Sequence, residues 1–108
     1  MKRGDVCWVE FDPPDKRRPV VILTRSSAIG YLNALTVAPI TTTMRRVPSE
    51  VILGPEDGLP ISCAANLHNM QTVPKSRIGN LITSLTTNKL AEIETALLFA
   101  LGMEDFRR

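Results

Sequence analysis

Long apolar runs are missing from this sequence. No stretch of about 18 apolar residues occurs, which excludes a membrane-spanning helix read by hydropathy. The start, Met1-Lys2-Arg3-Gly4-Asp5, passes directly into an alternating pattern and lacks the apolar core of a signal peptide. Histidine is nearly absent: His68 is the only one, so one chain cannot supply a two-histidine acid/base pair for RNA cleavage. Cysteine is scarce too. Cys7 and Cys63 have neither a disulfide-framework nor a zinc spacing, which fits a reducing cytoplasm. No phosphate-binding glycine motif is present. Aromatics make up 5% of the chain, too few for a groove that grips proline-rich ligands.

What is present is an ordinary globular composition in 108 residues, 44% hydrophobic and 22% charged, enough for a single domain spanning 1–108. The net charge of +2 is too mild to announce a nucleic-acid partner. Its distribution says more. Arg17-Arg18, Arg45-Arg46 and Lys75 with Arg77 are small basic groups beside expected strand ends, and would form a phosphate track if they converge.

Period-two alternation over 5–12 predicts a strand with Cys7, Val9 and Phe11 on one face. Pro13-Pro14-Asp15 turns the chain. The β-branched run at 18–24 predicts a strand buried on both faces. Residues 25–33 read as a loop or single helical turn. A strand follows at 34–41, with Pro39 at a bulge or unpaired edge. A shorter strand at 49–53 precedes the turn Gly54-Pro55-Glu56-Asp57-Gly58. Residues 61–73 read as one long bent strand ended by Pro74, then a helical turn at 75–77 and a short strand from Ile78 to Leu81. From Thr87 the period changes: Leu90, Ile93, Leu97 and Leu101 recur at helical spacing, capped by Thr86 or Thr87 and stopped by Gly102. The expectation is a mainly β (α+β) fold, a small curved barrel-like sheet closed by one C-terminal helix.

The scattered acidic residues Asp5, Glu10, Asp12 and Asp15 do not make a two-metal nuclease pattern. A serine or cysteine nucleophile would have only His68 for a partner. What remains is Arg18, where a loop enters a buried strand, and Thr41, at a strand end. A guanidinium neutralises a phosphate and stabilises charge developing on its oxygens, and a threonine hydroxyl positions one such oxygen. Taken alone, both residues read as well as an edge charge and a strand former.

The collected blocks resemble the MazF/PemK toxins of bacterial toxin–antitoxin systems. The resemblance runs through Arg3-Gly4-Asp5-Val6, Trp8-Val9, Phe11-Asp12-Pro13, Arg18-Pro19-Val20-Val21-Ile22-Leu23 and Thr36-Val37-Ala38-Pro39-Ile40-Thr41. It continues with Gly58-Leu59, Gln71-Thr72-Val73-Pro74-Lys75-Ser76-Arg77-Ile78-Gly79 and Leu97 to Gly102. It implies an SH3-like barrel of five to seven strands with a C-terminal helix, and a homodimer. It also implies a metal-independent, sequence-specific endoribonuclease without cofactor, acting on single-stranded RNA, most often mRNA. The 2′-hydroxyl attacks the adjacent phosphate, leaving a 2′,3′-cyclic phosphate and a 5′-hydroxyl. The family's catalytic arginine and threonine fall on Arg18 and Thr41. RNA contacts are expected at Arg17, Thr42, Arg45, Arg46, His68, Asn69, Gln71, Lys75 and Arg77. The partner is expected to be a cognate antitoxin with an acidic, disordered tail. Gyrase-poisoning toxins share the barrel without nuclease chemistry, and the Arg18/Thr41 pair favours cleavage over that alternative. Two departures stand out: the segment 12–17 is short and lacks the family's Gly-Ser-Glu loop, and His68-Asn69 replace an acidic residue and glutamine, which points to a different base preference.

Overall fold

A computed structural model describes residues 1–14 and 16–103. Asp15, expected in the first turn, lies outside the described residues. Among the described residues seven strands and one α-helix follow in order: β1 (Asp5–Glu10), β2 (Arg17–Ile22), β3 (Ala34–Thr41), β4 (Glu50–Leu53), β5 (Cys63–Asn66), β6 (Gln71–Pro74), β7 (Ile78–Ser84) and α1 (Thr87–Leu101). All pairings are antiparallel. The sheet runs β4-β5-β3-β2-β1-β7, with β6 also on β3. It is a curved, open sheet with β4 and β7 at its ends, rather than a closed barrel.

The apolar rows explain the layering. Successive side chains of a strand point to opposite faces, so a strand buried on both faces must be apolar without interruption. On β2, Val21 joins Val6, Ala38, Ile40, Val51 and Leu53 in one core, while Val20 and Ile22 join Cys7, Val9, Leu35, Val37 and Val73 in another. Phe11 packs against the second core, so Cys7, Val9 and Phe11 share a face as expected. Helix α1 covers the first core with Ile93 and Ala96, and Leu97 packs at its edge. Leu101, the expected fourth member of the helical stripe, is instead half exposed. The Thr86 hydroxyl accepts the Lys89 N–H, capping the helix at 3.3 Å. Gly102, at φ +67°, ends it in the left-handed region.

Pro39 lies inside β3, not at an outer edge. One side of β3 pairs with β2. The other side is divided: 34–37 pair with β6 and 40–41 with β5. The break between them falls at 38–39, where proline has no N–H to give a ladder. The single bent strand expected over 61–73 is two strands, β5 and β6, separated by a 3₁₀ turn at Leu67–Asn69. Leu67 is fully buried in the helix-side core, and its N–H bonds the Ser49 carbonyl at 2.9 Å. That bond carries the β4–β5 register one residue past Glu50 and Asn66, and the Met70 N–H then closes the turn on the Leu67 carbonyl. The last strand runs past Leu81 to Ser84, because Asp5 at the start of β1 pairs with Ser84, across irregularities in the β1–β7 register.

Candidate RNA-binding and cleavage site

The second core ends in a cleft. In the β2–β3 ladder Val20 lies opposite Pro39, Val21 opposite Ala38 and Ile22 opposite Val37. Two residues beyond Val20 and Pro39 on the same rows are Arg18 and Thr41. Period-two geometry therefore brings both to one end and one face of the strand pair. Arg18, half-buried, lines a cleft of about 550 Å³ with Phe11, Pro39, His68, Asn69, Met70 and Gln71. Gln71 reaches it because β6 pairs Gln71 with Val37, putting both on the same face of the sheet.

Each lining residue has a local reason for its place. His68 and Asn69 are exposed on the 3₁₀ turn whose first residue, Leu67, is buried. His68 is held by its ring: Nδ1 lies 2.5 Å from the Ser49 hydroxyl. The Thr41 hydroxyl oxygen accepts the Thr43 N–H at 3.1 Å, which leaves its own hydrogen to donate outward.

The other expected contact residues are dispersed around the cleft. Arg17 points to the opposite face from Arg18, its guanidinium 4.3 Å from the centre of the Trp8 ring, a cation–π arrangement. Thr42 is exposed on the segment joining β3 to β4. Arg45 and Arg46 follow on it with exposed side chains, their backbone N–H groups bound to Glu50 at 2.9 and 2.8 Å. Lys75 is partly buried and donates to the Ile29 carbonyl at 2.7 Å. Arg77 pairs with Asp12 at 3.0 Å and so ties the start of β7 to the end of β1. Sequence reasoning missed Phe11, Pro39 and Met70 as cleft walls. Alternation carried a signal for Phe11 and Pro39, since they stand on the same rows as Val9 and Val37.

Cysteine chemistry finds no support. Cys7 and Cys63 are buried and unpaired. Burial above all, then the nearby charges of Asp5 and Asp57 respectively, pushes both thiols up, away from the thiolate that a nucleophile requires. Among the described residues no cluster of His, Cys, Asp and Glu could hold a metal ion, and no helix is long and apolar enough to cross a membrane.

Known proteins are similar to this chain in both sequence and fold. Residues 2–101 match the family of PemK-like, MazF-like toxins of type II toxin–antitoxin systems. A probable endoribonuclease MazF5 of Mycobacterium tuberculosis is 41% identical over 96 residues, 88% of this chain and 87% of that protein. The endoribonuclease MazF3 of the same species is 42% identical over 82% of both chains. Among solved structures, the M. tuberculosis toxin MazF-mt6 superposes with a TM-score of 0.86 at 32% identity, covering 93% of this chain and 98% of its own. A mycobacterial endoribonuclease solved in complex with its cognate antitoxin gives 0.83 at 28% identity, over 95% of this chain and 96% of its own. With the match covering nearly its whole length, this chain belongs to the PemK-like, MazF-like toxins of type II toxin–antitoxin systems.

Proposed function

We propose that this protein is a sequence-specific endoribonuclease toxin that cleaves single-stranded RNA without a metal ion, with Arg18 and Thr41 at the reacting phosphate. The observation that carries the reading is the union, in one cleft, of a permanently charged guanidinium with the hydrogen-bonding side chains of His68, Asn69 and Gln71. The guanidinium suits the phosphate. The hydrogen-bonding side chains suit the edges of unstacked bases, which single-stranded RNA exposes.

In this reading the ribose 2′-oxygen attacks the adjacent phosphorus and the bond from phosphorus to the 5′-oxygen breaks. The products carry a 2′,3′-cyclic phosphate and a 5′-hydroxyl. Arg18 stabilises the charge that grows on the phosphate oxygens and bonds toward the leaving 5′-oxygen. Thr41 holds a non-bridging oxygen through its hydroxyl. The 2′-proton passes to solvent or to a neighbouring acceptor, because a guanidinium is no base at neutral pH, and the departing 5′-oxygen takes a proton from solvent to become the 5′-hydroxyl. Arg45, Arg46, Lys75 and Arg77 supply phosphate contacts around the cleft, and Thr42 extends them along the strand, while Arg17, turned to the opposite face over Trp8, stands outside this set.

The toxin acts in the cytoplasm on mRNA, as a homodimer restrained by an antitoxin whose acidic tail covers the basic cleft. The exposed Phe99 and Leu101 at the end of α1 and Leu81 on β7 favour self-association. Incubating the protein with a long defined RNA in EDTA tests the cleavage reading. Fragments should begin at one recurrent sequence and carry 5′ ends that a polynucleotide kinase labels without prior phosphatase. Intact RNA, or cleavage that EDTA abolishes, refutes it.

A further inference from the structure

The segment 42–48 carries Arg45 and Arg46 and is fastened by one side chain at the head of β4. Glu50 Oε1 accepts the N–H groups of both Arg45 and Arg46, at 2.9 and 2.8 Å. Arg46 has φ +55°, a conformation rare for a side chain of its size. With both N–H groups ending on one oxygen, the loop behaves as a small anion-binding nest whose anion is built into the chain. The Glu50 N–H closes the same loop on the Val47 carbonyl at 3.0 Å. Ser49, one residue earlier, faces the other way: its hydroxyl lies 2.5 Å from His68 Nδ1, and its carbonyl accepts the Leu67 N–H at 2.9 Å.

Glu50 is an expensive choice for that position. It is 9% exposed, and its second oxygen, Oε2, is buried without a hydrogen-bond partner. A buried acceptor left unmade costs stability. An apolar residue beside Val51 would avoid that cost. The carboxylate serves instead the two N–H groups that its other oxygen accepts.

We infer that Ser49 and Glu50 are positioning residues, which lock the loop of Arg45 and Arg46 and the His68 turn at a fixed separation across the head of β4. Neither residue lines the cleft beside Arg18. Both act on RNA capture, through the loop and the turn they hold, and leave bond breaking to Arg18 and Thr41. This rests on the ribonuclease reading for its consequence, though the lock itself does not.

The test compares Glu50→Ala, Glu50→Gln, Glu50→Asp and Ser49→Ala with the wild type. Two readouts are needed: amide hydrogen exchange at Arg45 and Arg46, and single-turnover cleavage of a defined RNA across a range of enzyme concentrations. Glu50→Ala should expose both amides to fast exchange and raise the half-saturating concentration about tenfold, the scale of losing hydrogen bonds to one carboxyl group. The saturated rate should stay within about twofold of wild type. Gln, whose amide oxygen accepts the same two N–H groups, should restore both readouts. Asp, shorter by one methylene, should not. Ser49→Ala should raise the half-saturating concentration with the Arg45 and Arg46 amides still protected. If Glu50→Ala fails to fold, the Asp and Gln pair decides. Slow exchange in folded Glu50→Asp, or a fall in saturated rate with unchanged half-saturation, would overturn the proposal. A wild type that cuts no RNA refutes the ribonuclease reading instead, while the exchange data still judge the lock.

Discussion

The two faces of the sheet use the same strands for different ends. Beneath α1, Val21 shares an apolar core with Leu53, Leu67, Ile93 and Ala96. On the other face, Val20, Ile22, Leu35 and Val37 form an apolar row that turns polar at one end, through Pro39 to Arg18 and Thr41. The first face is a core. The second is a core that stops short and leaves a charged group at its mouth. Because Arg18 and Thr41 continue rows whose other members are packed, their backbones are fixed by strands and not by loops, which suits groups that must meet a transition state accurately. The residues expected to grip RNA, by contrast, sit mainly on turns and connections around that fixed end.

Mutations should separate the two faces. Leu53 is fully buried beneath the helix, and Leu53→Ala should cost about 2–5 kcal/mol of stability, read as a lower urea midpoint. At a temperature where that variant is still folded, its cleavage rate should be close to wild type. Arg18→Ala should do the reverse. Loss of a preorganised donor costs about 3 kcal/mol, or roughly 100-fold in rate, with the unfolding midpoint nearly unmoved. Arg18→Lys should be badly impaired as well, since a point charge does not replace a planar fork. Thr41→Ser should keep much of the activity and Thr41→Ala little, in the same single-turnover assay.

The periphery should respond in a third way. Arg45→Ala and Arg46→Ala should each weaken RNA binding several-fold and make the slope of log affinity against log salt shallower by about 0.7 for each phosphate no longer neutralised. Their saturated rates should be kept. A titration of a non-cleavable RNA at several salt concentrations checks this.

The smallest effect concerns the far end of β1. Asp5 is buried, and burial by itself raises its pKa. The Ser84 hydroxyl at 2.7 Å, the Lys2 amide at 3.0 Å and the Lys2 charge outweigh it and hold the carboxyl below its ordinary value. A carboxyl depressed on folding adds stability above its unfolded pKa, and that stability is lost as pH falls through the folded one. Wild type should therefore exceed Asp5→Asn in thermal midpoint at pH 6, and the difference should shrink as the pH drops below about 4.

These expectations draw unequally on sequence and structure. Periodicity was enough for the layers: the unbroken run Val20-Val21-Ile22 already requires burial on both faces, and the helix stripe of Leu90, Ile93 and Leu97 names its inner side. Local patterns failed where long-range anchors decide. Nothing within 61–73 reveals that the chain turns at Leu67–Asn69 once Leu67 is buried and bonded to Ser49, yet that turn is what presents His68 and Asn69 to the cleft. Leu101 keeps helical spacing but is half exposed as the last residue of α1. Arg18 and Thr41 could be singled out as chemistry, but their meeting depends on the β2–β3 register, which pairs residues far apart in the chain. Residue chemistry singled out the pair without deciding between catalysis and an ordinary strand-edge role, and the family resemblance favoured catalysis.

In the proposed mechanism Arg18 supports bond breaking and does not merely attract RNA. Single-turnover cleavage of one defined RNA by Arg18→Ala, in EDTA and at saturating enzyme, tests it most directly. Circular dichroism must confirm the fold. A folded variant slowed by about 100-fold or more, at RNA saturation, is the predicted result. A folded variant that cleaves at the wild-type saturated rate would contradict the claim.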